Sequence, residues 1–257
     1  MPFSAADLSI KMPHLPQSAT ASRHLVDAAL PMLGLALTGN QIEALLAYLD
    51  LISKWTRVYN LTAVRDPVEM VTHHLLDCLA AMALLAAHFE QARHLELAGL
   101  ESTRSPQAGQ GIRLLDVGSG AGLPGAVIAI CFPEVSVTCV DTVAKKAAFI
   151  KQVALTLKLP NLLGLHARVE ALAPPAFPPF DVICSRAFAS LADFTRWSAS
   201  ALAPTGAWMA MKGKRPEEEM AALPQGIEVF HVEQLKVPAL DVERCIVWMR
   251  KRGVLQS

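Results

Sequence analysis

The chain has 257 residues, 53% of them hydrophobic and 18% charged, with 23 Lys and Arg balanced by 23 Asp and Glu. That composition suits one large folded domain, or a domain with an appendage, and excludes an intrinsically disordered chain. A formal net charge of +0 excludes a nucleic-acid binder that works through a whole-molecule positive field, so any RNA contact must come from local basic patches.

Residues 1–22 carry scattered Pro, Ser and Ala without apolar periodicity and read as a flexible arm. From 23 to 90 the pattern is helical. Leu45, Leu46, Leu49 and Ile52 recur at steps of three and four and give one apolar face. Thr38 or Asn40 is placed to cap that helix. Asn60-Leu61-Thr62 breaks the pattern. Asp66-Pro67-Val68-Glu69 then opens another helix, with Asp66 as cap, Pro67 in the first turn and Glu69 at the capping-box position. The alanine-rich helix around Leu84 belongs to the core. Residues 91–111 read as an inserted loop, rich in Gly, Ser, Pro and Gln from Gly99 onward.

From 112 to 257 the texture alternates. Strands are expected at 113–117, 135–140, 162–166, 181–185 and 207–211. Helices are expected at 123–131, 143–157, 191–202 and 216–223. Two β-rich runs, 228–237 and 244–250, flank Pro238 and are placed to pair antiparallel. Alternating β and α segments imply an α/β fold, a doubly wound, mainly parallel sheet covered on both faces. The five cysteines, Cys78, Cys131, Cys139, Cys184 and Cys245, form no CxxC pair and are odd in number, so they read as reduced thiols rather than a disulfide framework. The longest apolar stretch, 78–87, is about half a membrane span, and the N-terminus lacks an apolar signal core. A cytoplasmic protein is expected.

The most informative segment is Leu114-Leu115-Asp116-Val117-Gly118-Ser119-Gly120-Ala121-Gly122-Leu123-Pro124-Gly125, where the first strand hands over to a helix. Glycine there permits positive φ and a close backbone approach to a ligand, and the helix start offers unpaired N–H groups. A dinucleotide fingerprint, G-x-G-x-x-G, needs glycine where Leu123 stands. Asp116, two residues before the first glycine, gives instead the pattern [D/E]-x-G-x-G-x-G, which resembles motif I of the class I S-adenosylmethionine-dependent methyltransferases. In that family the acidic residue, here Asp116, faces the methionine end of the cofactor. Asp141 ends the second strand, where a carboxylate can accept both ribose hydroxyls, a feature shared with NAD proteins. A turn without ligand and an NAD-dependent oxidoreductase stay open as alternatives.

Further strings extend the resemblance. Tyr59-Asn60-Leu61-Thr62-Ala63-Val64-Arg65-Asp66, His74-Leu75-Leu76-Asp77, Ser185-Arg186-Ala187-Phe188-Ala189-Ser190-Leu191, Met211-Lys212-Gly213 and Val237-Pro238-Ala239-Leu240-Asp241, with the glycine-rich turn, resemble the RsmG (GidB) family, bacterial enzymes that methylate N7 of a guanine in 16S ribosomal RNA. The resemblance runs from about residue 24 to about residue 250. It implies a Rossmann-like methyltransferase with a mainly parallel seven-stranded sheet and an N-terminal helical segment, using S-adenosyl-L-methionine as cofactor. Its partner would be 16S rRNA, alone or within the small ribosomal subunit, and the chain would act as a monomer. Carried over position by position, Gly118, Gly120 and Leu123 become cofactor contacts. Val169 and Glu170 match the pair beside the adenine. Arg186 matches a residue at the cofactor and substrate mouth, and Asn60, Arg65, His74 and Asp77 would lie near that mouth. Lys212, beside Gly213, Lys214 and Arg215, reads equally as a solvated basic turn or a phosphate-positioning group.

Three departures stand out. His73 occupies a position where the family usually has arginine, so fixed charge is missing there. Cys78 stands where serine is usual, and the 90–111 connection is longer than the family's. The chemistry is consistent with the resemblance. Cys184 has no adjacent proline and reads as a buried apolar residue rather than a nucleophile. Guanine N7 carries a lone pair and no proton, so no general base is required, and no catalytic residue is assigned. His73, His74 and Asp77 lie close in sequence without HExxH spacing, so no metal site is expected. A non-catalytic cofactor-binding regulatory module also stays open.

Overall fold

The structure, a computed structural model, describes residues 17–97 and 111–253. The expected arm therefore lies outside the described residues up to 16, as does the 98–110 part of the expected insertion. Where the arm is described it is helical, because α1 (Gln17–Met32) begins inside it. Likewise α5 (Met82–Leu97) carries the helix into the first residues of the expected loop.

Between them, α2 (Gly39–Tyr59) starts at a complete capping box. The Thr38 side chain accepts from Gln41 N–H while the Gln41 side chain accepts from Thr38 N–H. Leu45, Tyr48 and Ile52 of its apolar face are 0% exposed, each contributing roughly 1.5–3 kcal/mol through burial. Asn60 ends it in the left-handed conformation, φ 50°, which asparagine tolerates better than most residues. Asp66 then caps α3 (Pro67–Met70), accepting from Val68 and Glu69 N–H. The next turn is not α-helical. Val71–Leu76 forms a π-helical turn, followed by α4 (Asp77–Leu79). The run Pro67–His94 is long and apolar enough by length and composition to cross a membrane, but 67% of its apolar window is buried inside the molecule. It is packed as core.

The sheet contains β1 (Arg113–Val117), β2 (Ser136–Asp141), β3 (Leu162–His166), β4 (Phe180–Arg186), β5 (Leu202–Lys212), β6 (Ile227–Leu235) and β7 (Arg244–Lys251), in the order β3-β2-β1-β4-β5-β7-β6. The first five are parallel; β7 runs antiparallel to both β5 and β6. The connecting helices are α6 (Gly125–Cys131), α7 (Ala144–Thr156), α8 (Leu191–Ser198) and α9 (Glu217–Ala221). The fold is thus α/β, Rossmann-like, as expected. The largest shift in boundaries is at β5, which begins at Leu202 because Leu202 pairs with Phe180 across an irregularity before Ala207 meets Val182; α8 ends at Ser198 accordingly.

Strand alternation divides the apolar residues between two faces. Leu114, Val137, Cys139, Cys184 and Met209 join α1, α2, α5, α6 and α7 in one core. Leu115, Val117, Val140, Ile183 and Trp208 join α8 in the other. The N-terminal helices are therefore part of the same core as one face of the sheet.

Candidate functional site

The carboxyl ends of β1, β2 and β4 open onto two adjoining cavities, where ligands bind in open α/β sheets. The larger, about 580 Å³, is lined by Thr62, His73, His74, Asp77, Gly118, Ser119, Gly120, Leu123, Arg186, Lys212 and Arg244, among others. The smaller, about 380 Å³, is lined by Asp141, Thr142, Val143, Val169, Glu170, Phe188 and Trp197, among others. Gly118 and Ala187 line both. Gly118 has φ +66°, and a Cβ there would come within 2.5 Å of the Phe188 ring. Ala187 is also left-handed, φ 52°, at a cost of about 1 kcal/mol for a residue with a side chain.

The glycine-rich turn is fixed from below and behind. Asp116 is 0% exposed, and its Oδ2 accepts from Gly125 N–H at 2.9 Å. A Cβ on Gly125 would reach within 2.8 Å of that same oxygen. Asp116 Oδ1 is buried without a hydrogen-bond partner. Burial pushes the Asp116 carboxyl up to about 7, against the Gly125 N–H and the Arg186 charge. Tyr48 Oη, on α2, donates to Ala121 O at 2.6 Å. Asp141 accepts from Gly120 N–H at 3.0 Å and from Val143 N–H at 2.8 Å. Each carboxylate oxygen keeps a further lone pair for a ligand hydroxyl.

The far wall of the larger cavity is built on the π-helical turn, which has more residues per turn than an α-helix, and both His73 and His74 reach the lining. His74 Nε2 lies 2.8 Å from Thr62 Oγ1. Burial, helped by the Arg186 charge, lowers its pKa to about 4, so the ring is neutral at physiological pH. Asp77, 3% exposed, accepts from Arg186 Nη1 at 2.8 Å on one oxygen and from Arg244 Nε at 2.7 Å on the other. Arg186 also donates to His73 O at 3.0 Å. Cys184 is 0% exposed, and burial holds its thiol well above the usual range, so it is not poised as a nucleophile.

The profile of one family, described as rRNA small subunit methyltransferase G (GidB), matches residues 41–247. The chain belongs to this family. A ribosomal RNA small subunit methyltransferase G from Polaromonas sp. (strain JS666) is 68% identical over 223 residues, covering 87% of this chain and 91% of that protein. One from Polaromonas naphthalenivorans is 64% identical, covering 89% and 95%. One from Acidovorax sp. (strain JS42) is 59% identical, covering 91% and 97%.

In this member of the GidB family, the larger cavity gathers the expected Gly118, Gly120, Leu123, Arg186, His74, Asp77 and Lys212. The smaller gathers Asp141, Val169 and Glu170. Three expected site residues line neither. Asp116 lies beneath the turn, because its position on β1 points it into the helical core with Cys139 and Cys184 as register partners. Asn60 and Arg65 stand outside the cavity and bond to each other at 2.7 Å. Lys212 is less free than a phosphate-gripping group would be. Its Nζ donates to both oxygens of Glu219, at 2.8 and 3.0 Å. Arg244 and Tyr48 were missed. The first sits three residues past the Val237–Asp241 string, and the second lies between Leu45 and Leu49 of the apolar face, where no local pattern marks a hydroxyl partner. Among the described residues no group of three or more His, Cys, Asp or Glu is placed to hold a metal ion.

The residues present fit S-adenosylmethionine. The space left by the absent Cβ of Gly118 joins a cavity with a carboxylate to one with cationic walls. Ser119 Oγ, on the lining of the larger cavity, is a buried hydroxyl without a partner.

Proposed function

We propose that this chain transfers a methyl group from S-adenosylmethionine to N7 of one guanine in 16S rRNA, acting in the cytoplasm as a monomer on the small ribosomal subunit or a precursor of it. The observation that carries the reading is the pair of cavities meeting at Gly118 and Ala187, in a chain of the GidB family. The smaller cavity suits a nucleoside. Asp141 would accept from the ribose hydroxyls, and Val169 and Glu170 would flank the adenine. The larger cavity suits the reacting end and the incoming base.

When bound, the cofactor supplies an electrophilic methyl on a sulfonium. The rest falls to positioning. The N7 lone pair needs no base, and neutral His74 offers no competing cation. Arg186 and Arg244, fixed by Asp77, place positive charge at the wall where a nucleotide phosphate or guanine O6 would lie. Holding the acceptor in line at near-attack distance is what such a site contributes.

The test is transfer of labelled methyl to small subunits, and to naked 16S rRNA, from cells lacking this enzyme, with the product mapped by borohydride–aniline cleavage at 7-methylguanine. A single cleavage, lost in Gly118→Val, is the expected result. No transfer to either substrate overturns the reading.

A further inference from the structure

The lip of the larger cavity carries a surface that the reading above leaves unused. α2 ends in four successive exposed residues, Arg57, Val58, Tyr59 and Asn60. Val58 is 70% and Tyr59 45% exposed, apolar area that folding alone has no reason to leave in water. The Tyr59 ring is nevertheless held in place. It packs at 5.0 Å on Trp55, which meets Phe149 of α7 edge-on at 5.2 Å. Lys145 Nζ donates to the Tyr59 carbonyl at 3.2 Å. The next residue, Asn60, accepts from Arg65, and Leu61 and Thr62 already line the cavity.

The lip also carries cations without a carboxylate partner, as Lys151, Lys158, Lys214 and Lys236 are among the described residues elsewhere on the surface. Elsewhere on the surface Arg23, Arg93, Arg168 and Arg196 each face a carboxylate at 3.2 Å or less. Arg57, Arg65 and Lys145 form no such pair among the described residues. In a molecule of zero net charge, unpaired cations gathered around a rigid, half-exposed aromatic ring are the equipment for unpaired RNA. The ring provides a stacking face, and the cations provide phosphate contacts.

We infer that this lip docks the rRNA strand next to the target guanine, with Tyr59 stacking on a neighbouring unpaired base and Arg65 and Lys145 contacting its flanking phosphates. The inference rests on the proposed methyltransferase reading and adds to it the residues that position the substrate from outside the cavity. Tyr59 is a positioning residue: it touches a neighbour of the reacting base, not the reacting atoms.

The experiment compares methyl-transfer kinetics on small subunits for the wild type, Tyr59→Ala, Tyr59→Phe, Lys145→Gln and Leu155→Ala. The last removes an exposed apolar side chain on α7 and serves as control. Tyr59→Ala is expected to raise KM for the subunit about tenfold, the low end of what one base–aromatic stack supplies, with kcat changed less than about twofold. Cofactor affinity by calorimetry stays at the wild-type value. Tyr59→Phe keeps the ring and stays near wild type. Lys145→Gln lowers the slope of log KM against log salt by about one, and Leu155→Ala changes nothing. In a second measurement, a photoreactive phenylalanine at position 59 is expected to crosslink to 16S rRNA.

Wild-type transfer with an unchanged KM in Tyr59→Ala overturns this inference alone, as does a Tyr59→Phe variant as impaired as Tyr59→Ala. Crosslinks confined to ribosomal protein assign the lip to a protein partner and also overturn it. Absence of transfer by the wild type removes the methyltransferase reading and this inference with it.

Discussion

Of the three carboxylates buried at this site, Asp77, Asp116 and Asp141, the first two are held by very different sets of donors. Asp77, on the wall built from the N-terminal helices, has a guanidinium on each oxygen, from strands β4 and β7. Asp116, under the glycine-rich turn, has one backbone N–H at 2.9 Å and the Cys139 thiol at 3.9 Å on one oxygen, and no hydrogen-bond partner on the other. Complete pairing makes Asp77 a clamp that aims two guanidiniums at the cavity. Half pairing leaves Asp116 with a charge that burial opposes, which is why its pKa rises to about 7. Both side chains are buried, and they differ in their donors: a guanidinium on each oxygen of Asp77, and a single backbone N–H with a distant thiol on one oxygen of Asp116.

The comparison breaks most readily at Asp77. Asp77→Ala leaves two guanidiniums facing each other without their anion. We expect a loss of about 3 kcal/mol in stability, the cost of breaking a buried pair from one side. We also expect a fall of roughly 100-fold in kcat/KM for the RNA substrate, since misplaced positioning groups act at that scale. Urea titration and methyl-transfer kinetics measure the two. A variant within about twofold of wild type would show that the arginines hold their places without Asp77.

Asp116 sharpens the comparison through pH. Its folded pKa lies above the unfolded value, so the folded state holds the proton more tightly, and the stability this group contributes falls as pH rises from about 4 to about 7. Asp116→Asn keeps an acceptor for Gly125 N–H and removes the titration. The Tm difference, variant minus wild type, is expected to climb across that window and level off above it. A flat difference from pH 4 to 8 would mean that Asp116 titrates normally in the fold.

These two residues also mark how far the sequence could be read. The alternating strands and helices were legible because each period is local, and the glycine-rich turn because close backbone approach demands glycine at fixed positions. The direction in which Asp116 points was recoverable in principle. Leu114 and Asp116 share one face of β1, and that face meets the helical segment. The partners of Asp77 were not recoverable. Arg244 lies 167 residues further along the chain, and no local pattern links them. The π-helical turn was equally hidden, since Val71–Leu76 has the composition of an ordinary helix, and its wider turn depends on the packing around it.

His74 tests the wall in a third way. Its folded pKa, about 4, lies below the unfolded value near 6.5, so here the unfolded state holds the proton more tightly. Stability from this group is fully present above about pH 6.5 and is lost as pH falls toward 4. The sign is opposite to that of Asp116 over nearly the same window. Wild-type Tm between pH 4 and 6.5 therefore reflects both groups. His74→Gln is expected to raise stability at pH 4 relative to pH 6.5, and Asp116→Asn to lower it. If both variants move the profile in the same direction, one of the two assignments is wrong.

The smallest effect is expected where a buried polar group has its one partner and carries no charge. Tyr48 is 0% exposed and spends its hydroxyl on Ala121 O, so α2 braces the back of the glycine-rich turn. Burial pushes its pKa well above the usual phenol value, so the group stays protonated and donating at every accessible pH. Tyr48→Phe preserves the ring and deletes that bond. The cost should be about 1 kcal/mol of stability, without pH dependence. Because the freed carbonyl belongs to the turn, the Kd for S-adenosylmethionine should rise a few fold by calorimetry while KM for RNA stays constant. Ser198→Ala, which removes the hydroxyl bonded to Trp208 Nε1 in the opposite core, should cost similar stability and leave cofactor affinity alone. If both variants weaken the cofactor equally, the effect is general loosening, and α2 has no particular hold on the turn.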